Sequence, residues 1–166
     1  MSMLNTGVWS SSFRKMAIKF NENVWSLIPS AYDQEDGAMF GVIDNNDGSS
    51  FIIDVSAEEQ SYASFDYEVC EDEYFSRLFN TDNSVRELER FDLVVDEVNF
   101  LCILYKFNNT NFCEQFVMRG MYIGEAEVIG ISIAWPFDMK LPLGMKVPPK
   151  FKFFLKNFSL QISTRP

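Results

Sequence analysis

The sequence contains no histidine among its 166 residues. Imidazole is the usual base of serine and cysteine triads and the commonest metal ligand, so its absence excludes those triads and every histidine metal site. Paired carboxylates could still perform glycoside hydrolysis. No spacing singles out one pair among the 24 acidic residues, so a solvated surface role is the better interpretation for each of them. We therefore expect a protein that is not an enzyme, with a carboxylate-dependent hydrolase as the least favoured alternative.

Cysteine is also scarce: the sequence contains three, Cys70, Cys102 and Cys113. Three cysteines cannot all pair, and their spacings match no zinc or redox motif, so reduced and mostly buried thiols are expected. Phosphate-cradling glycine patterns are absent as well. The composition therefore predicts neither a metal nor a cofactor.

No long hydrophobic run is present, and the apolar runs are far shorter than the roughly 20 residues that a membrane helix requires. Near the N-terminus, Arg14 and Lys15 follow a polar serine run, and no apolar core comes after them, so a signal peptide is not indicated. These features predict a cytoplasmic protein with no membrane contact. We expect a loosely ordered segment over residues 1–15 and a single α+β domain over residues 16–166.

Positive charge is nearly absent from the middle of the chain. Between Ala31 and Asn99 there are nineteen acidic and three basic residues, a formal charge of −16, whereas the remainder holds eleven basic and five acidic residues. Such a surface repels nucleic acid, whose phosphates require lysine and arginine. It raises the encounter rate with a basic protein instead.

Among the features that are present, a β-hairpin is the clearest local signal. Two β-rich runs, Met39 to Ile43 and Phe51 to Val55, flank a segment of Asn, Asp, Gly and Ser, which favours a turn. The Asp and Asn residues hint at a calcium loop. If Gly48 held the sixth loop position, however, the apolar Ile43 would hold the first, where a ligand is required.

Hydrophobic periodicity predicts the remaining elements. Alternation predicts strands at Met16 to Phe20 and Leu88 to Val95, and a central strand at Val98 to Phe107 that is apolar on both faces. The spacing of apolar residues predicts an acidic helix from Ser64 to Phe79 and a last helix from Pro149 to Ile162. The fold class is therefore α+β, with a twisted and mostly antiparallel sheet of about six strands and helices packed on it. Two further strands are predicted at Phe112 to Tyr122 and Glu127 to Trp135.

Aromatic residues interleave with the acidic clusters, including Tyr32, Tyr62, Phe65, Tyr67 and Tyr74. An apolar anchor with a charged rim is typical of an interface with a partner rich in lysine and arginine. For any one cluster, a solubilising face is the simpler interpretation; the clusters together favour a binding face. The predicted partner-binding residues are Asp33, Glu35, Asp36, Glu58, Glu59, Glu68, Glu71, Asp72 and Glu73.

The order of elements resembles the PsbP-like fold, an α/β/α sandwich that includes the DcrB-like bacterial proteins. The resemblance rests on Ile28-Pro29-Ser30 before an acidic loop, on the hairpin ending at Ser50 to Val55, and on the terminal helix from Phe151. It spans Met16 to Ile162 and assigns no site residues.

In bacteria this resemblance implies small non-enzymatic partners of secreted toxins. The preferred function is a cytoplasmic immunity protein that binds and inhibits a cognate toxin through the acidic face. The alternative is a type VI secretion chaperone or adaptor that holds an apolar effector segment in an exposed groove of Met and Phe. In both cases the expected partner is a protein, and the oligomeric state stays open.

Overall fold

The protein is described from a computed structural model. The structure describes residues 6–57, 85–95, 97–108, 114–123, 127–136, 141, 143–157 and 159–160. The predicted acidic helix over residues 64–79 lies outside these ranges.

The described residues form eleven strands, and every strand pair is antiparallel. The strands are β1 (Thr6–Ser10), β2 (Met16–Asn21), β3 (Trp25–Leu27), β4 (Tyr32–Gln34), β5 (Gly37–Asp44), β6 (Ser50–Ala57), β7 (Val85–Val95), β8 (Val98–Asn108), β9 (Glu114–Ile123), β10 (Glu127–Pro136) and β11 (Ser159–Leu160).

Two sheets result from these pairings. The small sheet has the order β1-β2-β11, and the large sheet has the order β3-β5-β6-β10-β9-β8-β7, with β4 added on β5. The expectation of a mostly antiparallel sheet is therefore confirmed. The expected number of about six strands is wrong, because four short strands of two to five residues lack the length that makes alternation visible.

The hairpin of β5 and β6 confirms the prediction from the sequence. Asp44 N–H donates to the Ser49 carbonyl at 2.8 Å, and Gly48 N–H donates to the Asp44 carbonyl at 2.8 Å. Gly48 has φ +76°, a conformation that glycine adopts without strain. The turn residues therefore close this hairpin by local bonds, as their composition predicted.

The small sheet begins earlier than the sequence suggested. Strand β2 buries Met16, Ile18 and Phe20, as the alternation predicted. Strand β1 lies within residues 1–15, for which the sequence predicts a loosely ordered segment, and its five residues all pair with β2. The Trp9 ring lies 5.0 Å from the Phe40 ring of β5, so β1 is also packed on the large sheet.

The chain ends with one short helix among the described residues. A 3-10 turn over Pro149–Phe151 leads into α1 (Lys152–Asn157). The predicted helix to Ile162 is therefore too long, since Ser159–Leu160 pairs with β2 instead. Phe154 is fully buried, and its ring stacks on Phe51 of β6 at 4.7 Å and 11°.

The large sheet buries side chains on both of its faces. One face carries the main core, in which α1 and the small sheet pack on strands β5, β6 and β10. Alternation along β8 places Phe100 and Cys102 on that face and Ile103 and Tyr105 on the other, and all four are buried. The prediction of a strand that is apolar on both faces is confirmed for β8. Within the described ranges, no helix has the length and hydrophobicity to cross a bilayer.

Candidate functional site

The described part of the predicted acidic surface is the hairpin of β4 and β5, at one edge of the large sheet. Gln34 pairs with Gly37 across a two-residue turn made of Glu35 and Asp36. Both of these acidic side chains are exposed, and so is the Tyr32 ring, at 46% of its surface. We call residues 32–37 the acidic hairpin.

The side chains of β4 alternate between two environments. Asp33 lies on the side of the small sheet, where it accepts hydrogen bonds from Ser11 Oγ at 2.8 Å and from Ser12 N–H at 2.5 Å. Tyr32 and Gln34 lie on the opposite side, because side chains two residues apart share a face. Asp33 therefore has a structural partner in the chain, whereas its neighbours are presented outwards.

Arg14 holds the turn of the acidic hairpin through backbone carbonyls. Its two terminal nitrogens donate to the Gln34 carbonyl at 2.9 Å and to the Glu35 carbonyl at 3.1 Å. Ser11 Oγ in turn accepts from Arg14 N–H at 3.0 Å. The link between β1 and β2 thus fixes the backbone that carries Glu35 and Asp36, while their carboxylates stay in solvent.

An open pocket of about 280 Å³ adjoins the acidic hairpin, lined by Tyr32, Gln34, Asp36, Gly37 and Val55. Gly37 contributes only backbone to this lining. A Cβ at this position would lie 3.1 Å from the Val55 carbonyl oxygen and 3.8 Å from Cε2 of Tyr32. The described lining therefore combines an aromatic ring, an amide and one carboxylate.

Asp54 is an acidic group on the face of the large sheet opposite the main core. It pairs with Met39 of β5, which pairs with Tyr32 of β4, so the three residues lie in one row across the strands. Burial raises the pKa of the Asp54 carboxyl, and the charge of Arg119 offsets part of that rise. The carboxylate lies over Gly130 of β10, where a Cβ would come within 2.5 Å of Oδ1.

A separate acidic pair in the β5–β6 turn has a structural role. Lys150 Nζ donates to Asp44 at 2.8 Å and to Asp47 at 2.7 Å, and it lies 5.0 Å from the centre of the Trp25 ring. Burial alone would raise the pKa of Asp47, but the bonds from Lys150 and Ser49 lower it overall. This arrangement ties the hairpin to the 3-10 turn, and Asp44 and Asp47 serve as partners of a lysine there.

The predicted site residues divide into two groups. The structure brings Asp33, Glu35 and Asp36 together in the acidic hairpin. The others lie outside the described residues, namely Glu58, Glu59, Glu68, Glu71, Asp72 and Glu73.

Several residues of the site were missed from the sequence, namely Arg14, Gln34, Gly37 and Asp54. For Asp54 a signal existed, since it is a lone acid in the apolar run Phe51 to Val55. Arg14 had none, because it contacts residues 20 and 21 positions away.

Comparison with known proteins shows the fold. No family model matches this chain, and no curated protein matches it significantly. The chain is similar to the solution structure of cyanobacterial PsbP (CyanoP) from Synechocystis sp. PCC 6803, with a TM-score of 0.64 and 8% identity over 96% of this chain and 95% of that one. It is also similar to a crystal structure from Bacteroides thetaiotaomicron, with a TM-score of 0.51 and 9% identity, covering 98% of this chain and 51% of that one. The chain spans about half of that second protein. The PsbP-like fold expected from the order of elements is therefore confirmed.

Proposed function

We propose that this protein is a cytoplasmic bacterial immunity protein, which binds a cognate secreted toxin through its acidic surface and occludes the toxin's active site. The observation that carries the proposal is the acidic hairpin. Its exposed side chains, Tyr32, Glu35 and Asp36, are presented on a backbone that Arg14 and Asp33 hold in place.

The fixed backbone matters for affinity. A loop that is already ordered loses less conformational entropy on binding, so more of the contact energy appears as affinity. An exposed tyrosine beside carboxylates supplies an apolar anchor within a charged rim. The acidic hairpin thus has the composition and the preorganisation of a contact with a basic protein.

Toxins that act on nucleic acids or nucleotides carry lysine and arginine for their own anionic substrates. Carboxylates placed against these groups would compete with the substrate directly and would accelerate association. The proposal extends the contact to the six acidic residues outside the described ranges. With a charge of −16 between Ala31 and Asn99, that region has a strong electrostatic bias toward such a partner.

The two alternative functions have less support. The exposed large apolar side chains of the described residues are spread over different elements, for example Val8 on β1, Leu27 on β3 and Val94 on β7. A chaperone for an apolar helix would use a continuous groove. A hydrolase of the glycosidase type needs two carboxylates in one pocket, and the described lining of the pocket beside the acidic hairpin contributes one, Asp36.

The test is capture of the partner by the immobilised protein from a lysate of the source bacterium, at about 50 mM and about 500 mM NaCl, where screening differs strongly. We expect a basic protein that is retained at low salt and lost at high salt. Production of the captured basic protein alone should then stop the growth of the cells, and coexpression of the immunity protein should restore it. The double variant Glu35→Lys with Asp36→Lys should lose both capture and protection.

The matched control is the double variant Glu22→Lys with Asp92→Lys. It makes the same change in net charge at two exposed acidic residues outside the acidic hairpin, on other elements. It should retain capture and protection. Capture that is insensitive to salt, or that survives the change at Glu35 and Asp36, would contradict the proposal.

A further inference from the structure

We propose that the pocket beside the acidic hairpin binds the guanidinium group of an arginine side chain on the protein partner. This inference rests on the proposed function, because it names the group that the acidic surface recognises. It concerns the pocket of about 280 Å³ lined by Tyr32, Gln34, Asp36, Gly37 and Val55.

Gly37, one of the residues that line the pocket, lies close against the backbone of Val55. A methyl group at this position would lie 3.1 Å from the Val55 carbonyl oxygen, closer than an ordinary van der Waals contact, and 3.9 Å from the Tyr32 hydroxyl. Glycine therefore avoids a crowded contact with the backbone at this point of the lining.

The walls match a planar cation. A guanidinium can lie against an aromatic ring such as that of Tyr32 by cation–π attraction, and its N–H groups can donate in the same plane to several acceptors. Gln34 offers an amide oxygen and Asp36 a carboxylate. An ammonium group offers a point charge without this planar fork, so arginine fits better than lysine.

The charges around the pocket also favour a cation. Among the described residues that line it, none is basic, and Asp54 lies on the same face of the large sheet as Tyr32, one strand further in than Met39. Arg14 donates to the Gln34 and Glu35 carbonyls, and Ser12 of the same segment bonds Asp33. Asp33 is already bonded to Ser11 and Ser12, so Asp36 is the carboxylate that the pocket presents.

The experiment is an NMR titration of the labelled full-length protein with N-acetyl-arginine methylamide. Its neutral counterpart is the citrulline derivative, which has nearly the same shape without the charge. We expect saturable amide shifts at Gly37, Val55 and Tyr32 with the arginine probe, and binding of the citrulline probe weaker by about tenfold or more, which corresponds to about 1.4 kcal/mol. The lysine derivative should fall between them.

Three variants test the pocket itself. Tyr32→Ala and Asp36→Asn should each weaken binding of the arginine probe about fivefold or more, through loss of the ring and of the charge. Gly37→Ala should have a similar effect, because its methyl group would crowd the lining beside Val55 and Tyr32. Glu22→Gln is the matched control for the loss of one exposed charge and should bind as the wild type does. If Gly37→Ala does not fold, the other two variants decide the result.

Shifts that do not saturate, equal binding of the citrulline probe, or unchanged binding by Tyr32→Ala and Asp36→Asn would overturn the pocket proposal. The immunity proposal has its own readout in the capture of the partner. If the probe fails to bind while Glu35→Lys with Asp36→Lys still abolishes capture, the pocket proposal alone is wrong. If the probe binds as expected while that double variant leaves capture intact, the immunity proposal is the one that fails.

Discussion

Lys150 is the cation that joins the β5–β6 turn to the end of the chain. It bonds Asp44, which is 5% exposed, together with Asp47. In the folded protein the pKa of Asp47 is lowered and that of Lys150 is raised, despite the opposing effect of burial on both. The stability that these bonds contribute is therefore fully present at any pH between 3.8 and 10.5, the ordinary pKa values of aspartate and lysine. It is lost as the pH falls through the lowered value or rises through the raised one.

We expect Lys150→Met to lower the free energy of unfolding at pH 7 by about 3 kcal/mol, because a buried carboxylate at Asp44 is left without its cation. Urea denaturation measures this change. Lys152→Met is the control, since Lys152 is exposed two residues later. Its effect should stay within about 0.5 kcal/mol. Equal effects of the two substitutions would show that the ion pairs do not stabilise the fold.

Asp54 presents the opposite case, a carboxylate that burial makes unfavourable. Since the pKa of Asp54 is raised in the folded protein, the folded state binds its proton more readily than the unfolded state does. Stability therefore falls as the pH rises from the ordinary value of 3.8 through the raised one.

Asp54→Asn should accordingly be more stable than the wild type at pH 7, with a difference that shrinks as the pH approaches 3.8. Urea denaturation at several pH values measures it, and Asp92→Asn, at an exposed position of β7, is the control. A lower stability of Asp54→Asn at pH 7 would mean that the attraction between Asp54 and Arg119 outweighs the cost of burial.

Strands β8 and β9 show how one close contact sets the packing of two elements. Cys102 and Gly120 are directly paired, and a Cβ on Gly120 would lie 2.8 Å from Cys102 Sγ. Burial, with the nearby charge of Asp92, raises the pKa of the Cys102 thiol to about 12, so the sulfur remains a neutral packing group.

Gly120→Ala should therefore destabilise the protein by about 1–3 kcal/mol, the usual cost of overpacking. Adding Cys102→Ala removes the sulfur that the new methyl group meets, so the double variant should be more stable than the single variant Gly120→Ala. Thermal unfolding of the four proteins of the cycle measures the coupling. Strict additivity would contradict the contact as the cause.

The sequence predicted those elements whose pattern is long enough to be unambiguous. Alternation located β2, two β-rich runs around a turn segment located the β5–β6 hairpin, and the two apolar faces located β8. Strands β3 and β4 are three residues each, too short to alternate visibly, and they exist because β5 offers them backbone bonds. The terminal helix ends at Asn157 for a similar reason. The spacing of apolar residues favours a helix to Ile162, but Ser159–Leu160 pairs with β2 instead. This pairing joins residues far apart in the chain, so no local sequence pattern predicts it.

For the molecule as a whole, the charge distribution was visible from the sequence, but the roles of individual acids were not. Asp33, Glu35 and Asp36 look equivalent in the sequence. The difference between them comes from residues about 20 positions earlier, since Ser11 and Ser12 bond Asp33 and thereby join the small sheet to the edge of the large one. Asp33 therefore belongs to the structure of the site, and Glu35 and Asp36 to its contact surface.

This division predicts opposite outcomes for neighbouring substitutions. Asp33→Ala removes the acceptor of two hydrogen bonds between the sheets and should lower the free energy of unfolding by about 1–3 kcal/mol. Glu35→Ala and Asp36→Ala leave those bonds intact and should change it by less than about 0.5 kcal/mol. Partner binding should separate them further. The loss of charge in Glu35→Ala and Asp36→Ala should lower the rate of association, so these variants should bind more weakly at low salt. Asp33→Ala should weaken binding through a less ordered hairpin, and this effect should persist at high salt. Equal stability of all three variants would show that Asp33 does not join the two sheets.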